Sequence, residues 1–318
     1  VFAAHDIGYF FYNGGGDSQD TTFTVSEMAK KLKFPLQCIG IPKTVDNDLP
    51  YTDCSPGFGS VAKYVAISTL EAGLDVKSMA ETSTKVFILE VMGRHAGWIA
   101  AASCLAASNQ GDPPHIILLP EIPFEKNKFI ARVKETVKKY GYCVIVASEG
   151  TKTKTGKFLA DSGLTDAFGH KQLGGVAPVM SSMISKIGLK NHWAVADYLQ
   201  RSARHIASKT DLDQAYAVGE HAVKLAVAGK TAVMPVIKRL SDTPYKWQIG
   251  SAPLKNIANI EKSVPRKFIS KDGFAVTSAG RRYLNPLIQG EAPTSFKHGM
   301  PEVALLKKAF VKKKLKKF

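Results

Sequence analysis

The sequence predicts an α/β protein of two lobes, with mainly parallel sheets flanked by helices. Short apolar runs alternate with longer amphipathic segments, the pattern of strands and helices taking turns. At 318 residues the chain exceeds the roughly 250–300 residues at which single cores stop growing. The chemically unusual residues fall just after the apolar runs, and parallel sheets bind ligands outside the carboxyl ends of their strands.

In order along the chain, 7–12 reads as a strand that ends in a glycine loop, Gly14-Gly15-Gly16-Asp17, followed by a helix over 22–33. The next strand, 36–41, runs into the turn Pro42-Lys43-Thr44-Val45-Asp46-Asn47-Asp48. Residues 58–79 have helical spacing, with Val61, Tyr64, Val65, Ser68 and Ala72 near one stripe. A strand over 86–91 and a helix over 96–107 follow, then a strand over 116–119, a helix over 126–140 and a strand over 143–147. The polar stretch 151–175 reads as loops with a short ordered insert. Residues 176–187 read as helical, 192–199 as extended and 212–228 as helical. Beyond about 241 the pattern changes: 247–251 resembles a strand near a turn, and 281–286 is mixed. No internal repeat is evident, and the lysine run at 307–317 is the one low-complexity stretch.

Composition excludes several classes. Hydrophobic residues at 45% and charged residues at 22% fit a globular chain rather than a disordered or fibrous one. Charges interrupt every apolar stretch before the ~20 residues a membrane helix needs, and 1–7 lacks a signal-peptide pattern. The scattered cysteines, Cys38, Cys54, Cys104 and Cys143, form no Cys-x-x-Cys pair, so they read as reduced, buried thiols of a cytoplasmic protein rather than as disulfides or a zinc site. The net charge of +16 suits phosphate-bearing ligands or nucleic acid. Seven of the lysines lie in the last twelve residues, a block expected to be a solvated end, and no RNA-recognition or zinc-finger signature favours nucleic acid.

Four loops carry candidate chemistry. Glycines after a strand let backbone approach an anion, and Asp17 beside them could hold Mg²⁺; a structural turn with an N-capping aspartate would look much the same. In 42–48 a carboxylate could take a proton from an attacking hydroxyl while Lys43 meets a phosphate; an Asx-rich turn is the plain alternative. Arg94, within Met92-Gly93-Arg94-His95, fits a sugar-phosphate contact, and His95 is a capping or core residue as readily as a base. Basic residues in 198–205 suit a second phosphate or a solvated helix face. Glu149, closing its strand, could bond sugar hydroxyls or be a plain strand-end acid.

Taken together, Gly-Gly-Asp at 15–17, Pro-Lys-Thr-Val-Asp-Asn-Asp at 42–48, Glu-Val-Met-Gly-Arg at 90–94 and Gln-Arg at 200–201 resemble the phosphofructokinases. The likeness is clear over about residues 5–235. It implies a Rossmann-like, two-lobed glycolytic kinase: 1–57 with 200–240 form the phosphoryl-donor lobe, 58–199 the sugar-phosphate lobe, and 241–318 a C-terminal segment. By that resemblance Asp46 is the base for the sugar 1-hydroxyl and Asp48 its companion carboxylate. Thr44 touches the transferring phosphoryl group, and Arg94 stabilises it. Gly15, Gly16 and Lys43 would bind the donor, and Asp17 Mg²⁺. Fructose 6-phosphate would meet Lys85, Met92, Gly93, Arg94, Glu149, Tyr198 and Arg201. The resemblance also implies a homo-oligomer, dimer or tetramer, with His192 where the family places an arginine reaching from a neighbouring subunit.

Lys43 resembles the pyrophosphate-using branch, whose ATP-using relatives have glycine there. Ser18 departs from the aspartate that many pyrophosphate enzymes carry, although Gly-Gly-Gly-Asp-Ser-Gln-Asp-Thr resembles a particular pyrophosphate-using subgroup. Position 1 corresponds to a point inside the family's first lobe, and residues preceding Val1 are expected to supply the opening strand and glycine-rich cradle. The alternatives are an ATP-dependent phosphofructokinase and a non-catalytic subunit that keeps the fold.

Overall fold

Two four-stranded sheets, each fed by strands whose carboxyl ends carry the polar loops, organise the molecule. The computed structural model describes residues 1–165, 171–173 and 175–316. The first half runs β1 (Tyr9–Gly14), α1 (Gly16–Lys31), β2 (Gln37–Pro42), α2 (Phe58–Met79), β3 (Val86–Val91), α3 (Trp98–Ala102), β4 (Ile116–Leu118), α4 (Lys126–Tyr140) and β5 (Cys143–Ser148). An antiparallel pair follows, β6 (Asp161–Thr165) and β7 (Lys171–Leu173), then α5 (Val176–Ser185), β8 (Asn191–Val195), α6 (Asp197–Ser202) and α7 (Lys209–Val227). The chain closes with β9 (Val233–Asp242), β10 (Tyr245–Pro253), α8 (Ser278–Leu284) and two-residue strands β11 (Phe296–Lys297) and β12 (Met300–Pro301).

One sheet has the order β4-β5-β3-β8 and is parallel throughout. Its middle strand β5 is buried at every position, as a strand covered on both faces must be. The other sheet has the order β1-β2-β9-β10; β1, β2 and β9 run parallel and β10 returns antiparallel. A shared cluster containing Phe58, Trp98, Ile99, Leu119, Ile237 and Leu284 joins the two sheets. All four cysteines are free and buried. Among the described residues no helix is long and apolar enough to cross a membrane.

Several expectations shift. The helix expected from 22 begins at Gly16, so Asp17 lies in its first turn, where the helix dipole favours a carboxylate. The stretch 192–199, expected to be extended, is a strand only to Val195, after which α6 begins. The helix expected over 96–107 is the short α3 followed by a 3-10 turn, Ser103–Ala106. The largest revision is at 241, where the expected start of a separate C-terminal segment falls inside the β9–β10 hairpin. Cross-strand hydrogen bonds tie the two strands along their length. Met234–Ile237 of β9 is buried at every position, while its second half alternates, with one side toward the core and one in water. The short insert expected within 151–175 falls partly outside the described residues.

Candidate active site

The turn after β2 is held by its own polar groups. Lys43 N–H donates to Gly14 O at 3.1 Å, which fixes the turn against the end of β1. Thr44 Oγ1 accepts the Asp46 N–H at 3.1 Å and lies 3.4 Å from Asp46 Oδ2. Asn47 is fully buried and adopts φ 54°, the left-handed region that asparagine tolerates better than most residues. Its Oδ1 accepts the Ser55 N–H at 3.0 Å and its Nδ2 donates to Tyr283 Oη at 3.1 Å. A buried asparagine thus separates two half-buried aspartates, Asp46 and Asp48.

Burial raises the Asp46 carboxyl to about 6, and the like charge of Asp48 adds to the rise; the Thr44 hydroxyl, Arg94 and Lys43 pull the other way. Asp48 is also raised, first by burial, with Lys262 opposing. Its Oδ1 is buried and accepts no hydrogen bond from the protein. Asp46 is therefore a carboxylate poised near neutrality, which suits proton transfer.

The turn after β3 closes the other side. Gly93 has φ 132°, and a Cβ there would lie 2.7 Å from Ala96 O, so a side chain would wreck the turn. Ser148 Oγ donates to Gly93 O at 2.5 Å, and Glu149 Oε1 accepts the Gly93 N–H at 3.3 Å. Burial raises the Glu149 carboxyl to about 7; the Gly93 hydrogen bond lowers it and Asp46 raises it. Arg94 attracts both carboxylates, and so sits between them electrostatically. Tyr198 and Arg201 lie exposed on α6, with the guanidinium 4.1 Å above the ring.

The structure thus gathers Lys43, Thr44, Asp46, Asp48, Met92, Gly93, Arg94 and Glu149 at the carboxyl ends of β2, β3 and β5. Gly15, Gly16 and Asp17 follow the carboxyl end of β1, beside β2. Lys85 does not join them. It precedes β3 at the far end, about 20 Å of extended strand from Met92, and its Nζ donates to Ala80 O and Glu81 O beyond the end of α2. As a contact within its own chain's cluster, Lys85 is ruled out by strand direction.

Three positioning groups were given no role from the sequence, although Glu90 and Gln200 stand within the motifs quoted for the resemblance. Gln200 is buried, and its Oε1 accepts the Met92 N–H at 3.4 Å while its Nε2 donates to Asp197 O at 2.9 Å. Glu90 caps α5 by accepting from Gly175 N–H at 3.0 Å and Ala177 N–H at 2.8 Å. Asp211 accepts from Gly57 N–H at 2.8 Å and Ser60 N–H at 3.0 Å, which anchors the start of α2 beside the Asp46 loop. Among the described residues no three His, Cys, Asp or Glu side chains come together as a metal cage. Asp17 and the buried, unpartnered Oδ1 of Asp48 fit a hard cation held by one or two carboxylates and completed by substrate phosphates.

Comparison with known proteins identifies the family and the fold. The family model described as Phosphofructokinase matches residues 1–226. The pyrophosphate--fructose 6-phosphate 1-phosphotransferase of Halomonas elongata is 64% identical over 319 residues, covering all of this chain and 76% of that protein. The protein of the same name from Methylococcus capsulatus is 58% identical, over 99% of this chain and 75% of its own length. The crystal structure of a pyrophosphate-dependent phosphofructokinase from Marinobacter aquaeolei superposes with a TM-score of 0.91 at 58% identity, covering 99% of this chain and 76% of that one.

Proposed function

The chain belongs to the phosphofructokinase family, and we infer from that premise that it transfers a phosphoryl group from pyrophosphate to fructose 6-phosphate. The attacking group is the sugar 1-hydroxyl, and the products are fructose 1,6-bisphosphate and phosphate. The Halomonas elongata and Methylococcus capsulatus relatives are named for pyrophosphate, and Lys43 beside Asp46 supports the same choice.

The observation that carries the mechanism is the Asp46 carboxyl, raised to about 6 and flanked by Lys43 and Arg94. At neutral pH it is ionised and basic enough to take the proton from the 1-hydroxyl as that oxygen attacks phosphorus. The bond to the bridging oxygen of pyrophosphate breaks, and phosphate leaves with the electron pair. Lys43 and Arg94 offset charge on the phosphoryl oxygens, and Thr44 Oγ1 stands beside the reacting carboxylate. Mg²⁺, held through Asp17 with Asp48 as second carboxylate, would neutralise charge on the donor phosphates. The sugar phosphate would lie against Met92, Gly93 and Arg94, with Glu149 accepting from its hydroxyls and Tyr198 and Arg201 at the rim. Donor and product bonds have similar energy, so the step runs in both directions.

Exposed Trp193, Val195, Tyr198 and Leu199 beside the site support a symmetric homo-oligomer that covers this rim. A cytoplasmic setting, where free cysteines stay reduced, suits this reading. The division into a donor lobe (1–57 with 200–240) and a sugar lobe (58–199) remains our proposal, now with β10 added to the donor side.

Asp46→Ser tests the mechanism: turnover should fall by about a thousandfold or more, with fructose 6-phosphate affinity within about threefold of wild type. Retention of more than a few per cent of turnover would remove Asp46 from the role of base.

A further inference from the structure

We propose that Lys262 is a positioning residue for phosphoryl transfer, gripping Asn47 and the backbone after it so that Asp46 and Asp48 are held at their working angles. The proposal rests on the reading of function above. Lys262 lies outside residues 1–226, which match the family model, and its segment had no role in the sequence reading.

The geometry is specific. Lys262 Nζ donates to Asp53 O at 2.9 Å, Thr52 O at 3.0 Å and Asn47 Oδ1 at 3.4 Å. Its backbone N–H donates to Asp48 O at 2.6 Å. One residue therefore touches the catalytic turn by both main chain and side chain. The far side of the same segment is anchored to the sugar lobe. Trp98 Nε1 donates to Lys262 O at 2.8 Å, and the ammonium lies 5.4 Å from that indole's centre. Glu121 Oε1 accepts both the Val264 N–H at 2.8 Å and the Gly97 N–H at 2.9 Å. Residues 262–264 thus form a strap from the Asp46–Asp48 turn to the start of α3, five residues after Gly93.

Asn47 needs such a grip. Its left-handed backbone is held only while the surroundings over-determine it. Lys262, Ser55 and Tyr283 all bond its amide, and the two reacting carboxylates are its immediate neighbours. Loss of the ammonium takes a donor from Thr52 O, leaves Asp53 O to Tyr283 Oη and Asn47 Oδ1 to the Ser55 N–H, and lets the turn relax.

Lys262→Met and Lys262→Arg are assayed with pyrophosphate and fructose 6-phosphate beside the wild-type chain, with urea unfolding to confirm folding. The Met variant should lose about 30- to 100-fold in kcat. Its KM for fructose 6-phosphate should stay within about threefold, because the Met92–Arg94 turn is untouched. The Arg variant, which keeps the charge and donors, should recover to within about fivefold of wild type. A folded Met variant with wild-type kcat, or an Arg variant no better than Met, overturns the proposal. Should neither variant fold, Asn47→Gly removes the other end of the link while keeping left-handed backbone accessible; unchanged kcat there overturns it equally. A silent wild-type chain refutes the functional reading instead. Amide exchange at Ser55 then decides the positioning claim: at least about tenfold faster exchange in the Met variant upholds it, and no change refutes it.

Discussion

Replacing Asp46 by Asn should stabilise the fold at neutral and alkaline pH while destroying turnover. Burial and the charge of Asp48 lift this carboxyl from 3.8 to about 6, net of the pull from Thr44, Arg94 and Lys43. One pKa unit is about 1.4 kcal/mol, so the ionised group destabilises the folded state by about 3 kcal/mol relative to the unfolded chain. The neutral isostere removes that cost, a gain of about 3 kcal/mol. Because the folded pKa is raised, that gain is full above about pH 6. It shrinks as wild-type Asp46 takes up its proton between about pH 6 and 4, and vanishes below. Urea unfolding of both proteins at about pH 8, 6 and 4, followed by tryptophan fluorescence, reads the effect directly. A variant no more stable than wild type at pH 8, or equally stabilised at pH 4, would refute the claim that Asp46 is held ionised against its surroundings.

Other outcomes follow from the same geometry. The kcat/KM profile should fall on the acid side with an apparent pKa of about 6, as Asp46 protonates, and Asp48→Asn should move that limb to lower pH by removing the like charge. Gln200→Ala frees the Met92 N–H and should raise KM for fructose 6-phosphate about five- to tenfold with kcat nearly kept, measured by steady-state kinetics. Removal of Mg²⁺ with a chelator should abolish turnover yet leave fructose 6-phosphate binding within about threefold, measured calorimetrically. Lys43→Gly should raise KM for pyrophosphate by about tenfold or more and open the site to ATP, read by assaying both donors.

The fold was legible where local pattern decides structure. The buried run 143–147 and the long stripe of 58–79 name their elements, because each must bury one or both faces along its length. The Asp46–Asp48 turn stood out by its carboxylates directly after a strand, but an Asx-rich turn reads the same way, and its likeness to the phosphofructokinase motif is what set it apart. What escaped the sequence depends on contacts between distant residues. Gln200 reaches back to Met92, Asp211 to Gly57, and Lys262 to Asn47 across most of the chain. Each meets the site through a backbone group or a buried amide, which carries no signature in composition or period. Lys85 lies apart from its own chain's cluster for the complementary reason. Its distance from Met92 in sequence is short, but a strand converts those residues into separation rather than proximity. Of the β9–β10 hairpin, 247–251 was legible as a strand near a turn but β9 was not, because its second half alternates half-buried and exposed residues and reads as loop when the partner strand is unknown.

The most direct test is production of fructose 1,6-bisphosphate from fructose 6-phosphate and Mg²⁺, with pyrophosphate and ATP supplied in parallel reactions. Product formed with pyrophosphate and not with ATP is the predicted result. Product formed with ATP at an equal or greater rate would contradict the donor assignment and the role given to Lys43.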